Sequence, residues 1–122
     1  MKYLLSIYTN PKVWNALPER VRDDVWSGRG RFVETIKRTG EFLGANALED
    51  LSHSAVIKVR DGLAWVTGGP FVEGGECLTG YYVVECESTE RAHAIAAMIP
   101  DTRIEGSGIE VRPIVFSAGA GA

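Results

Sequence analysis

Residues 65–86 read WVTGGPFVEGGECLTGYYVVEC, and the rest of the chain is arranged around them. Trp65 and Val66 close an apolar strand. Gly68-Gly69-Pro70-Phe71 then makes a tight corner, in which glycine frees the backbone and proline fixes the next φ. An acidic, glycine-broken loop carries Glu73 and Glu76. Beyond it Gly80-Tyr81-Tyr82-Val83-Val84 alternates as a strand does, with Tyr81, Val83 and Glu85 on one side and Tyr82, Val84 and Cys86 on the other.

Upstream of this stretch, residues 54–60 and 63–67 form a hairpin around Asp61-Gly62, a strong two-residue turn signal. Residues 41–51 suggest a short, irregular strand broken at Gly44. Before them, Val21, Val25, Phe32 and Ile36 recur at helical spacing, flanked by Trp26 and Val33 and interrupted by Arg29. Gly28 and Gly30 each cost a helix roughly 1 kcal/mol relative to alanine. The stripe nevertheless keeps its phase, which favours one helix over residues 18–39, with a close backbone approach at the glycines, over two kinked ones. Pro18 suits its first turn and Gly40 its end. Residues 2–9 make the first strand, ended by Asn10-Pro11, with a loop from there to Pro18.

Downstream, Ser88 is a good N-cap. Ala92, Ile95, Ala96 and Ile99 form the buried stripe of a second helix, stopped by Pro100. Residues 109–116 make the last strand, and the tail at 117–122 is expected to be disordered. Two helices covering one face of such a sheet predict an α+β, ferredoxin-like sandwich with an inserted β-hairpin, a single domain over residues 1–116. The other face would carry Leu4, Val83 and Ile114, an apolar patch that a second copy would cover around a two-fold axis. The GGPF corner is expected to anchor Phe71 in the core.

The 122 residues carry a net charge of −3. Phosphate binding needs clustered cations. Arg29, Arg31, Lys37 and Arg38 share one helix with Glu34 and Glu41, which reads as a solvated face, so direct nucleic-acid binding is not expected. The opening segment is too short for a signal sequence and no stretch reaches membrane length, which places the chain in the cytoplasm and away from membranes. Cys77 and Cys86 are then reduced thiols, Cys86 a buried filler and Cys77 a poor nucleophile beside Glu76. His53 belongs in a loop and His93 on a helix surface. No spacing suggests a metal site, and no cofactor is expected.

Several pieces run in a familiar order: Met1-Lys2-Tyr3-Leu4-Leu5 with Ile7-Tyr8, Val59-Arg60-Asp61-Gly62, Val66-Thr67-Gly68-Gly69-Pro70-Phe71-Val72-Glu73, Gly80-Tyr81-Tyr82, and Ile109-Glu110-Val111-Arg112-Pro113-Ile114. Together they resemble the YCII-related proteins, in particular a small bacterial branch named for an Asp-Gly-Pro-Phe motif. The resemblance implies a homodimer, a dimeric α/β barrel with sheets packed face to face. It implies little about activity: most of the branch has none assigned, some members lie beside extracytoplasmic-function sigma factors, and a distant relative eliminates chloride with a histidine–aspartate pair. This chain has Gly68 where the motif has aspartate, Gly74-Gly75 where a Thr-Lys pair is usual, and no histidine in the first helix.

The candidate ligand-binding residues are Ser6, Tyr8, Tyr81, Glu85 and Arg112, brought together on the sheet face away from the helices, with Glu73 from the loop. There Arg112 would hold a small organic acid and the tyrosines would donate hydrogen bonds. The competing and favoured account is an interface ion pair between Arg112 and a glutamate. The reading is a small-molecule-binding or accessory protein. Its alternatives are a cofactor-free lyase or isomerase acting on a small acid, or a sigma-factor accessory on family context alone. No catalytic residue is assigned.

Overall fold

The computed structural model describes residues 1–71 and 74–119. Four strands form an antiparallel sheet: β1 (Lys2–Thr9), β2 (Phe42–Ala47), β5 (Cys77–Glu85) and β6 (Ser107–Pro113), in the order β2-β5-β1-β6. Helices α2 (Glu19–Arg38) and α3 (Thr89–Ala97) cover one face. The core lies between them. Tyr3, Leu5 and Ile7 of β1 and Tyr82 and Val84 of β5 pack with Phe32 and Ile36 of α2 and with Ala92, Ile95 and Ala96 of α3. This is the expected α+β, ferredoxin-like arrangement. The sheet is open in the protomer.

Helix α2 runs unbroken through both glycines. Gly28 shows why: a Cβ there would lie 3.1 Å from the Pro100 ring, so the helix backbone approaches the turn after α3 closely. Gly30 has open space around it. The expected loop before α2 is instead a short helix, α1 (Pro11–Ala16). Asn10 accepts a 3.0 Å hydrogen bond from the Lys12 N–H and Pro11 fills the first turn. The pair that stops the strand also starts a helix.

Strand boundaries shift with pairing. A bulge between Ile7 and Tyr8 lets Tyr8 and Thr9 pair with Leu78 and Cys77, so β5 begins at Cys77, three residues ahead of the alternating stretch that opens at Gly80. Strand β6 is displaced likewise, because Thr9 pairs with Ser107. Past Ile114, whose N–H donates to the Lys2 carbonyl at 2.9 Å, β1 has no residue left to pair, and Val115 and Phe116 stand in solvent.

The inserted hairpin, β3 (Ala55–Arg60) with β4 (Leu63–Gly68), is a separate two-stranded sheet. Asp61 and Gly62 both take positive φ, 51° and 76°, as a type I′ turn requires. By register, Ile57, Val59, Ala64 and Val66 share one face, while Lys58, Arg60, Leu63 and Trp65 share the other. Ile57 is 61% exposed and Val66 67%.

The GGPF corner departs from expectation twice. Phe71 is not anchored in the core but 73% exposed, its ring 5.4 Å from the Lys58 ammonium. Gly68 and Gly69 take no positive φ. Gly69 is required for space: its N–H donates to the Ser54 carbonyl at 3.1 Å, and a Cβ there would collide with the Ser54 side chain. Pro70 follows through a cis peptide.

Candidate functional site

The sheet face away from the helices carries the residues picked out from the sequence. Ser6 stands between Tyr81 on β5 and Glu110 on β6, and Leu4 stands between Val83 and Arg112. Lys2 faces Glu85 across the first pair of strands. Tyr8 lies beyond the bulge, opposite Leu78 and Gly108. Ser6 is buried, Tyr8 and Tyr81 are half-buried, and Glu85 and Arg112 are exposed. Arg112 has no ion pair among the described residues, and Glu73 lies outside them, as does the end of the C-terminal tail, residues 120–122. The apolar patch expected here is small in the protomer. Val83 is buried and Leu4 and Ile114 are half-buried, so the exposed apolar surface sits on the hairpin instead.

The enclosed space lies on the helix side of the sheet. A cavity of about 400 Å³ opens between α2 and the β2–β5 edge, walled by Ile7, Val33, Ala45, Trp26, Arg29 and Tyr82, with Asn46 and Tyr81 also on its lining. A second cavity of about 250 Å³ adjoins it, lined among others by Trp14, Leu48 and Leu51. Trp26, Arg29, Ala47 and Thr79 line both. Volumes in this range suit small ligands, and the mixture of apolar walls with a few polar groups is the usual chemistry of such sites.

Arg29 stands at the junction of the two cavities. Its Nε–H donates to Asp101 Oδ1 at 3.1 Å and its Nη2–H to Oδ2 at 2.6 Å. Asp101 is fully buried in the 3-10 turn Pro100–Arg103, and the Arg29 side chain is 17% exposed. The guanidinium carbon lies 4.4 Å from the Trp26 ring centroid and 5.5 Å from that of Trp14. Cation–π contacts and a forked ion pair thus fix the guanidinium in one plane. The solvated face expected for Arg29 is wrong at this residue: its position on the helix stripe turns it inward.

Tyr82 adds a polar group to the same wall. Its ring meets Phe32 edge-on at 4.9 Å. Its hydroxyl has no hydrogen-bond partner among the described residues, so it faces the cavity as a spare donor. Burial pushes the phenol above its ordinary pKa. The Arg29 charge opposes that shift and the Asp101 charge adds to it. Asn46 Nδ2 donates to the Tyr81 hydroxyl at 2.9 Å, which leaves the phenolic proton of Tyr81 free. The carboxylates nearby are already engaged. Glu34 lies 3.8 Å from Lys37, Glu49 is 2.7 Å from His53 Nδ1, and Asp50 accepts from Ser52.

The cysteines are apart from this cleft. Both are buried and free. Burial raises the Cys86 thiol pKa above its ordinary value, against a backbone hydrogen bond from Ser88 that lowers it, as suits a filler. No group of three metal-ligating side chains occurs among the described residues. No helix among them is long and apolar enough to cross a membrane. His93 is exposed on α3 and His53 sits in the 3-10 turn Leu51–His53.

Sequence reasoning saw Trp26 as a flank of the stripe and Arg29 as its interruption. The available signal was that interruption: an arginine among core positions of a helix needs a buried acid, and Asp101 follows directly on the proline that ends α3.

Among known proteins, the chain is similar to an uncharacterised protein of Rhizobium meliloti (strain 1021), 29% identical over 122 residues that cover 95% of this chain and 94% of the relative. The family model of the YCII-related domain matches residues 1–116, and with it the chain belongs to the YCII-related family.

Proposed function

We propose that this protein binds a small molecule in the cleft between α2 and the β2–β5 edge and works as a homodimer. The observation that carries the binding role is the cavity of about 400 Å³ in which a fixed arginine and a tyrosine hydroxyl without a partner among the described residues meet apolar walls. Binding is favoured over elimination or isomerisation, because a base is needed for those reactions. Tyr82 is held in its protonated form by burial, and the nearby carboxylates are engaged with partners of their own.

The dimer reading is supported by the hairpin. A two-stranded ribbon with Ile57, Val59 and Val66 in water is marginal by itself. A second copy placed around a two-fold axis would cover this face and shield the open side of the sheet, where Ser6, Tyr8, Tyr81, Glu85 and Arg112 are gathered.

A thermal-shift screen of chemically varied small molecules against the wild type, Arg29→Lys and Arg112→Ala tests the site. A ligand that raises Tm in the wild type and in Arg112→Ala, but much less in Arg29→Lys, supports the cleft. Loss in Arg112→Ala alone would move the site to the open face. Sedimentation equilibrium tests the dimer, and a mass of one protomer at micromolar concentration would overturn it.

A further inference from the structure

We propose that the cleft is built for a planar organic acid, an aromatic carboxylate whose oxygens meet Arg29 and Tyr82 and whose ring lies along the Trp26 wall. This rests on the small-molecule reading above and narrows it to one ligand class. A guanidinium has five N–H donors. Asp101 takes two from Arg29, and the other three have no acceptor among the described residues. The Tyr82 hydroxyl adds one more spare donor to the same lining. The carboxylates near it, Glu34, Glu49 and Asp50, each have a partner and stand on the exposed rim. A group that meets Arg29 and Tyr82 themselves must therefore bring oxygens rather than protons.

Asp101 neutralises much of the charge of Arg29, so the attraction is carried by directed hydrogen bonds more than by net charge. Such bonds discriminate strongly, because an unpaired buried donor is costly. The planar preference follows from the walls. Trp26 borders both cavities and the guanidinium is already fixed as a flat surface against it. A flat ring continues that packing, whereas a puckered ring leaves gaps in it.

The test is an NMR titration of the full-length protein with 2-naphthoate, 2-naphthamide and cyclohexanecarboxylate. It follows the indole N–H signals of the three tryptophans, Trp14, Trp26 and Trp65. The expected result is that 2-naphthoate shifts the Trp14 and Trp26 signals and leaves Trp65 in place. Its affinity is expected to be roughly tenfold or more above that of the amide, the effect of one charge-assisted hydrogen-bond pair, and above that of the puckered acid through the packing of its ring. Arg29→Lys keeps a cation beside Asp101 but removes the fork, so it should lose that advantage for the acid and leave the amide unchanged.

Equal affinity for acid and amide, with the Trp26 signal moving, overturns the carboxylate class and leaves the small-molecule reading standing. Equal affinity for the planar and puckered acids overturns the planar preference in the same way. If no probe moves Trp14 or Trp26, the planar-acid class falls, and the small-molecule reading is decided by the thermal-shift screen. Should Arg29→Lys fail to fold, the comparison of acid with amide on the wild type still decides the proposal.

Discussion

Arg29 of α2 and Asp101 of the turn after α3 are joined by two nearly parallel hydrogen bonds, at 3.1 and 2.6 Å, and the carboxylate has no exposed surface. Removing one partner leaves the other charge buried. Arg29→Ala should therefore lower stability by roughly 3–5 kcal/mol, the usual effect of breaking a buried pair. The double variant Arg29→Met/Asp101→Leu should recover most of the loss. Urea midpoints measure both, and an Arg29→Ala midpoint within error of the wild type would show that the pair is not buried in solution.

Ile57 and Val66 are cross-strand partners on the exposed apolar face of the hairpin. Charging both, as Ile57→Lys/Val66→Lys, should shift the sedimenting species from dimer to protomer. Far-UV circular dichroism should stay unchanged, since neither side chain belongs to the core cluster. Unaltered mass would place the contact of the proposed dimer elsewhere.

At Gly69 a new Cβ would meet Ser54, whose hydroxyl is held by the Leu51 carbonyl at 2.6 Å and so cannot swing away freely. Gly69→Ala should cost about 1–3 kcal/mol through overpacking. Ser54→Gly in the same chain removes both colliding atoms and should restore much of the loss. A destabilisation that persists unchanged in the double variant would mean that the backbone, not the contact, is the cause.

Glu41 accepts two hydrogen bonds from Arg91, at 2.9 and 2.7 Å, and one from Thr39. The Arg91 hydrogen bonds hold its carboxyl below the ordinary carboxylate pKa, against the opposing effect of burial. The unfolded chain therefore takes up this proton more readily than the folded one, and stability rises with pH across that window. The contribution of Glu41 should be complete above the ordinary carboxylate range and fade as pH falls through the lowered folded value. Comparing urea midpoints of the wild type and Glu41→Gln from neutral to acid pH measures it. A gap that stays constant in acid would contradict the assignment.

What could be read from the sequence was what repeats locally. The alternation of Tyr81, Val83 and Glu85, the Asp61-Gly62 turn and the stripe through Val25, Phe32 and Ile36 are short-range patterns, and all three elements are present. Helix α1 escaped because Asn10-Pro11 serves two purposes. The core placement of Phe71 failed because an aromatic beside a proline corner can as well face outward. The cleft was hidden for another reason. Arg29, Trp14 and Asp101 lie on three elements that only the tertiary fold brings together, and no periodicity marks a contact between them.

Strand β1 is the first element of the chain and the middle of the sheet. It pairs Tyr3 with Val84 and with Pro113, so it waits for partners synthesised long after it. Distant pairings of this kind close slowly, whereas a hairpin with a two-residue turn closes in microseconds. A ribbon that closes fast but is marginal by itself gives its amides little protection, so pulse-labelled hydrogen exchange should find the amides of β1 protected only together with those of β5 and β6. The strand made first would be the last to find its place.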